Sequence, residues 1–244
     1  MMSKAVLISI RPEWCEKIIN GQKTIKVSKT RPKIETPFKC YIYCTKPKRY
    51  SSDVSLYTDE LYRLPSGEIK FGSSIELSSF PDQWNKDNFL NGKVIGEFIC
   101  DEIYRYTAAF CRGEAREKGM TITDTEIEKQ SCLTQDELYR YENSNNNHRW
   151  GLLGWHISDL VIYDKPKSLY DFIKPGRKSI DSLDEDLCKY CSDFDYGEKA
   201  YYGTPDGPVM CEGASCDKAY QAYLDDEGFT LYRPPQGWCY VEEL

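Results

Sequence analysis

Six cations stand close together near the start of the chain: Arg11, Lys23, Lys26, Lys29, Arg31 and Lys33. Grouped cations neutralise phosphate oxygens, and an aromatic face beside them stacks a base, which together is the chemistry of single-stranded nucleic-acid recognition. Trp14, Tyr43 and Trp155 are the aromatic platforms for such a site, although filling a barrel core is the commoner use of a Trp. Lys23 and Lys26 carry a second possibility. Two neighbouring ammonium groups repel, which lowers a lysine pKa toward neutrality and suits it to act as nucleophile or base.

A further set of residues with chemical potential lies far downstream. Cys188 and Cys191 form a C-x2-C pair, and after nineteen residues Cys211 and Cys216 form a C-x4-C pair. Four thiolates so spaced suit a tetrahedral, structural zinc site with no open position. Such a metal would order an acidic segment that has few apolar residues of its own. Free thiols, or a disulfide formed by later oxidation, are the other states open to them. His148 and His156, the only histidines, have no carboxylate or cysteine close in sequence and signal neither a triad nor a metal site. No glycine-rich phosphate loop or dinucleotide-binding pattern is present.

The basic cluster rides on a strand–helix–strand unit. The apolar run Val6 to Ile10 reads as a strand ending at Arg11-Pro12, and Pro suits the first helical turn, where its missing N–H costs nothing. Trp14, Ile18 and Ile19 recur at helical spacing as a buried stripe. Asn20-Gly21 closes the helix, because Gly tolerates the left-handed backbone a C-terminal cap requires. Thr24 to Val27 restarts as a strand, along which side chains alternate, so Lys23 and Lys26 need not share a face. Phe38 to Thr45 reads as a third strand. Leu61-Tyr62 and Ile69 to Phe71 read as a hairpin around the turn Leu64 to Glu68. Val94 to about Tyr106 reads as one central strand and Gly154 to Tyr163 as one later strand. Residues 107–143 read as largely helical, with Thr134 as an N-cap answered by Glu137. Asn143 to His148 is a polar loop, and residues 164–178 read as a connection.

These segments resemble the ASCH domain of the PUA-like superfamily. The resemblance rests on Ser9-Ile10-Arg11-Pro12 followed by Ile18-Ile19-Asn20-Gly21-Gln22-Lys23-Thr24. Gly21 and Lys23 match the family signature Gly-x-Lys-x-x-Glu-x-Arg, whereas Lys26 and Ser28 stand where Glu and Arg are usual. Val94 to Ile103 is similar to the family's central barrel strand, and Gly154 to Tyr163 with Lys165-Pro166 to the strand completing the barrel. Arg233 to Glu243 is similar to the terminal strand of phage-encoded members. The resemblance implies a cleft between the first helix and the barrel, with Lys23 beside it, that accepts a base or a short stretch of RNA. In members that hydrolyse N4-acetylcytidine, it implies a catalytic Lys, Thr and Glu. Lys23 matches the Lys, Lys26 replaces the Thr, and the Glu falls to Glu114 or Glu117.

Composition sets outer bounds. With 40% apolar and 14% aromatic residues in 244, the chain is expected to fold around a sizeable core. No apolar run is long enough to span a bilayer and the N-terminus lacks a signal-peptide layout, so a cytoplasmic protein with no membrane partner is expected. The eleven cysteines are then expected to be reduced. Cys15, Cys40, Cys44, Cys100, Cys111, Cys132 and Cys239 read as small core hydrophobes. The net charge of −7 conceals an asymmetry. Residues 1–50 hold twelve Lys or Arg against three Asp or Glu, and residues 179–244 hold four against fifteen. Either a basic face serves a partner, or the acidic tail folds over it.

The expectation is therefore an α+β, PUA-like, mainly antiparallel pseudo-barrel over residues 1–178 with an insertion at 46–92. An acidic, cysteine-bearing insertion at 179–232 and a terminal strand at 233–244 returning to the barrel complete it. Binding of RNA or a single-stranded or modified nucleic acid is expected through Arg11, Trp14, Lys23, Lys26, Lys29, Arg31, Tyr43 and Trp155. The alternatives are an amidohydrolase using Lys23 and a module whose acidic tail engages a host protein. Beyond a structural zinc, no cofactor is implied.

Overall fold

A computed structural model of the chain describes residues 4–46, 59–73, 88–107, 122–143, 151–176, 201–204, 207–210, 221, 223–225 and 227–244. Twelve strands are present among them: β1 (Lys4–Ile10), β2 (Ile25–Ser28), β3 (Phe38–Cys44), β4 (Asp59–Arg63), β5 (Ile69–Ser73), β6 (Val94–Cys100), β7 (Ile103–Tyr106), β8 (Leu152–His156), β9 (Ser158–Lys167), β10 (Tyr201–Thr204), β11 (Gly207–Met210) and β12 (Trp238–Glu242). Among the described residues the helices include α1 (Pro12–Ile19), α2 (Asp124–Ser131) and α3 (Gln135–Asn143), with a 3-10 turn at Leu169–Asp171. Cys188, Cys191, Cys211, Cys216, Cys111, Glu114, Glu117 and His148 lie outside the described residues.

The main sheet runs β12-β1-β3-β6-β9, with β1 and β3 parallel and the other neighbours antiparallel. A second sheet, β2-β8-β7, is wholly antiparallel. The architecture is α+β, a mainly antiparallel pseudo-barrel with flanking helices. β12 pairs with β1, Lys4 opposite Glu242 and Ile8 opposite Trp238, so the two ends of the chain meet in one sheet.

Strand alternation divides the core. Val6, Ile8, Cys40, Ile42, Cys44, Phe98 and Cys100 face one side of the main sheet, where Ile18 of α1 and Trp155 of β8 pack on them. Leu7, Tyr41, Tyr43 and Val241 face the other side, against Leu169, Phe172 and Leu231. A third cluster, including Ile25, Ile127, Leu138 and Leu152, joins the outer face of the second sheet to α2 and α3.

Two readings of the sequence need correction. The segment from Val94 to Tyr106 is not one strand: Asp101 and Glu102 break it into β6 in the main sheet and β7 in the second. Gly154 to Tyr163 is likewise split at Ile157, after which β9 returns to the main sheet. Barrel corners are made where strands change sheets through bends. At the second corner the Ile157 N–H bonds the Thr24 carbonyl at 2.9 Å, and Asp159 takes a left-handed φ of 47°. β9 also runs on to Lys167, past Pro166, where a connection was expected. Its place at the sheet edge makes a Pro tolerable. The Leu61 and Phe71 hairpin is present as β4 and β5, paired Asp59 to Ser73. Thr134 caps α3 together with Glu137, whose carboxylate accepts from the Thr134 N–H at 2.8 Å.

Candidate functional site

The site is built by the turn between α1 and β2. Pro12 occupies the first turn of α1, and Pro12, Cys15 and Ile18 form its buried face, with Trp14 and Ile19 half-buried at the edge. Gly21, at φ 70°, reverses the chain, a conformation that favours Gly. The N–H groups of Gln22 and Lys23 then both bond the Lys17 carbonyl, at 2.9 and 3.0 Å. This tight return brings the ammonium groups of Lys17 and Lys23 to the indole of Trp14, each 4.9 Å from a ring centroid. Such cation–π contacts are favourable and strengthen when desolvated.

Lys23 is buried, and its Nζ donates to the carbonyl of Ser131, the last residue of α2. The partial negative charge at a helix C-terminus suits a cation there. Burial lowers the Lys23 pKa to about 8, opposed by Cys132 and Glu137 and reinforced by Lys17 and Lys26.

Lys26 points the other way, into the space between the two sheets. It pairs across β2 and β8 with Trp155, and its Nζ lies 4.6 Å over that ring. Phe38 meets Trp155 edge-on at 5.9 Å and Trp238 tilts against it at 6.0 Å. Burial lowers the Lys26 pKa to about 8, with the thiols Cys40 and Cys100 acting in the opposite sense. Among the described residues, no carboxylate pairs with Lys26 Nζ and no acceptor receives a hydrogen bond from it. Trp155 is fully buried, and among the described residues its Nε1–H has no partner.

The remaining sequence candidates scatter. Lys29 lies 5.2 Å over the ring of Tyr141 from α3. Arg31 bonds its own loop, donating to the carbonyls of Pro32 and Ile34 at 3.2 Å each. Arg11 is exposed at the start of α1, 3.9 Å from Glu13. Tyr43 is not brought to the others: it is buried on the far face of the main sheet with Phe172 and Leu169. Cys15, Cys40, Cys44 and Cys100 are buried free thiols, and burial pushes the Cys100 thiol up to about 12. Part of the basic segment is answered by acid, since Lys39 bridges Glu243 at 3.2 Å and Glu97 at 3.3 Å.

Several participants were not foreseen. Lys17 follows Trp14 by three residues, the spacing that makes helix neighbours, so the sequence did carry that signal. Trp238 and the pair Asp101–His156 carried none. His156 Nδ1 lies 2.6 Å from Asp101 Oδ1, joined across 55 residues by the adjacent corners of β6 and β8.

No family model matches the chain, and no curated protein matches it in sequence. Among solved structures it is similar to ASCH from Zymomonas mobilis, at 12% identity over 91% of this chain and 94% of that one, with a TM-score of 0.35. Two single-residue variants of that protein match at 12% identity and a TM-score of 0.36, over 98% and 94% of their lengths. At these TM-scores no residue is carried across. No described helix is long and apolar enough to cross a membrane.

Proposed function

We propose that the chain is an ASCH-type recognition module for RNA or a modified nucleoside, binding single-stranded nucleic acid at the cleft between α1, β2 and β8. The observation that carries this reading is the convergence of Lys17 and Lys23 on the half-buried ring of Trp14. An aromatic face flanked by ammonium groups supplies base stacking and phosphate neutralisation in one place. The Gly21–Lys23 turn and its ASCH resemblance favour the same cleft, and the resemblance of the terminal segment favours a phage-encoded member. Binding is preferred to hydrolysis because Lys26 replaces the hydroxyl of the amidohydrolase trio and Lys23 Nζ is already committed to the Ser131 carbonyl.

The test is fluorescence anisotropy of a single-stranded RNA oligonucleotide at low and moderate salt, with Trp14→Ala and Lys17→Ala/Lys26→Ala beside the wild type. Salt-dependent binding that both variants weaken supports the reading, because phosphate contacts release counterions. Absence of binding at either salt overturns it.

A further inference from the structure

The pairing of a partly exposed ring with an ammonium group occurs a second time, beyond the far end of β2. Tyr141 of α3 is 40% exposed, and the Lys29 ammonium lies 5.2 Å from its ring centroid. At Trp14 the same pairing is made by Lys17 and Lys23. Lys23 stands just before β2 and Lys29 directly after it, so the strand carries one ring–ammonium pair at each end.

α3 joins the two places along a single face. The helix packs on the outer side of β2, where Leu138 shares an apolar cluster with Ile25 and Val27. Glu137, in its first turn, is close enough to Lys17 and Lys23 for the charges to act on one another. Tyr141 follows Glu137 by four residues and so lies on the same face, about 6 Å further along the helix. Glu137 itself does not make this face acidic. The Thr134 N–H and hydroxyl hold its carboxylate at 2.8 and 3.0 Å, and Lys17 and the exposed Arg140 flank it. With Lys23 and Lys29 at the two ends, the cations along the path outweigh it.

A lone nucleoside occupies one ring. Two rings spaced along one face, each with an ammonium beside it, suit successive bases of a strand and the phosphates that link them. We propose that Tyr141 and Lys29 form a second stacking and phosphate contact, so that the ligand is a single-stranded oligonucleotide running from Trp14 to Tyr141 along α3. This rests on the nucleic-acid reading above and decides between the two ligands that reading names, a strand and a modified nucleoside.

The test measures anisotropy of a labelled RNA dinucleotide and of a strand of about eight nucleotides, within the footprint of small single-strand binding folds. Wild type, Tyr141→Ala, Lys29→Met and Tyr139→Ala are each titrated. Tyr139 is the control for the helix: it is exposed, but residues two apart on a helix do not share a face. The wild type should bind the longer strand more tightly than the dinucleotide. Tyr141→Ala should weaken the longer strand by about tenfold, the fold-change of one lost base stack, and narrow the ratio between the two lengths. Lys29→Met should flatten the salt dependence of the longer strand by about one phosphate contact. Tyr139→Ala should bind as the wild type does. Equal wild-type affinity for the two lengths overturns the second contact and leaves recognition at Trp14 standing. Equal losses in Tyr141→Ala and Tyr139→Ala also overturn it, since the helix and not the ring would then be responsible. Failure of both RNAs to bind removes both readings.

Discussion

Lys23 Nζ donates to the Ser131 carbonyl, tying the turn after α1 to the C-terminus of α2 across 108 residues. The contact is buried, and the backbone reinforces it, since the Thr24 N–H bonds the Gln130 carbonyl at 2.9 Å. Lys23 is thus a structural clasp as well as a neighbour of Trp14. Lys23→Met keeps the aliphatic stem but leaves the Ser131 carbonyl without its donor, so it should cost about 1–3 kcal/mol. Urea unfolding measures this. A neutral result would remove the clasp.

Lys26 has the opposite balance, being a half-buried ammonium without a described anionic partner. Its folded pKa of about 8 lies below the ordinary 10.5. Between those values the unfolded chain binds more protons than the folded one, so this group's contribution makes stability rise with pH across that window. Lys26→Met removes the cost and should stabilise the protein near pH 7 by about 1 kcal/mol. The advantage should fade as pH approaches about 10. Paired denaturation curves at the two pH values check it; an advantage independent of pH would mean that the ammonium is not its source.

The local unit around the site was legible because its signals are local. Pro12 at the start of α1 and Gly21 beyond its end fix a short helix within a few residues. The switch between sheets was not legible. Phe98 to Tyr104 and Gly154 to Tyr163 are apolar on both sides of each corner, and alternation reports burial without reporting which sheet does the burying. Lys26 illustrates the same limit. Its neighbours Ile25 and Val27 pack toward the helices, while alternation places Lys26 on the other face of β2, against Trp155, and alternation alone does not say what that face meets. Tyr43 was misplaced for a related reason: alternation along β3 separates it from Ile42 and Cys44 and sends it to the opposite core.

Gly96 allows β9 to lie against β6 where their register shifts. A Cβ there would sit 2.4 Å from the Val161 carbonyl oxygen and 3.2 Å from Ile162 Cα, both backbone atoms with little freedom to move. At Gly154 the nearest atom is a side-chain methyl, Ile25 Cγ2, at 2.9 Å. Gly96→Ala should therefore cost about 1–3 kcal/mol, the usual range for overpacking, and more than Gly154→Ala. Thermal denaturation of the two variants decides the order, and the reverse order would show that β9 yields readily at this point.

Asp101 and His156 join the two corners at which strands change sheets, with Nδ1 2.6 Å from Oδ1. Partial burial pushes the Asp101 carboxyl up, but the hydrogen bond from His156 and its own backbone N–H outweigh that and hold it below the usual range. A depressed carboxylate pKa contributes stability that is present above the unfolded value and is lost as pH falls through the folded one. The pair is partly exposed, so solvent screening limits its worth. Asp101→Asn should cost no more than about 1 kcal/mol near pH 7. The gap between variant and wild type should narrow as pH falls below the ordinary carboxyl value of 3.8 and close only below the lower folded value, where the wild-type carboxylate is itself protonated. Melting temperatures of both proteins across that range test the assignment. A gap that persists in acid would mean that Asn fails through geometry, as a poorer acceptor at the corner, and not through lost charge.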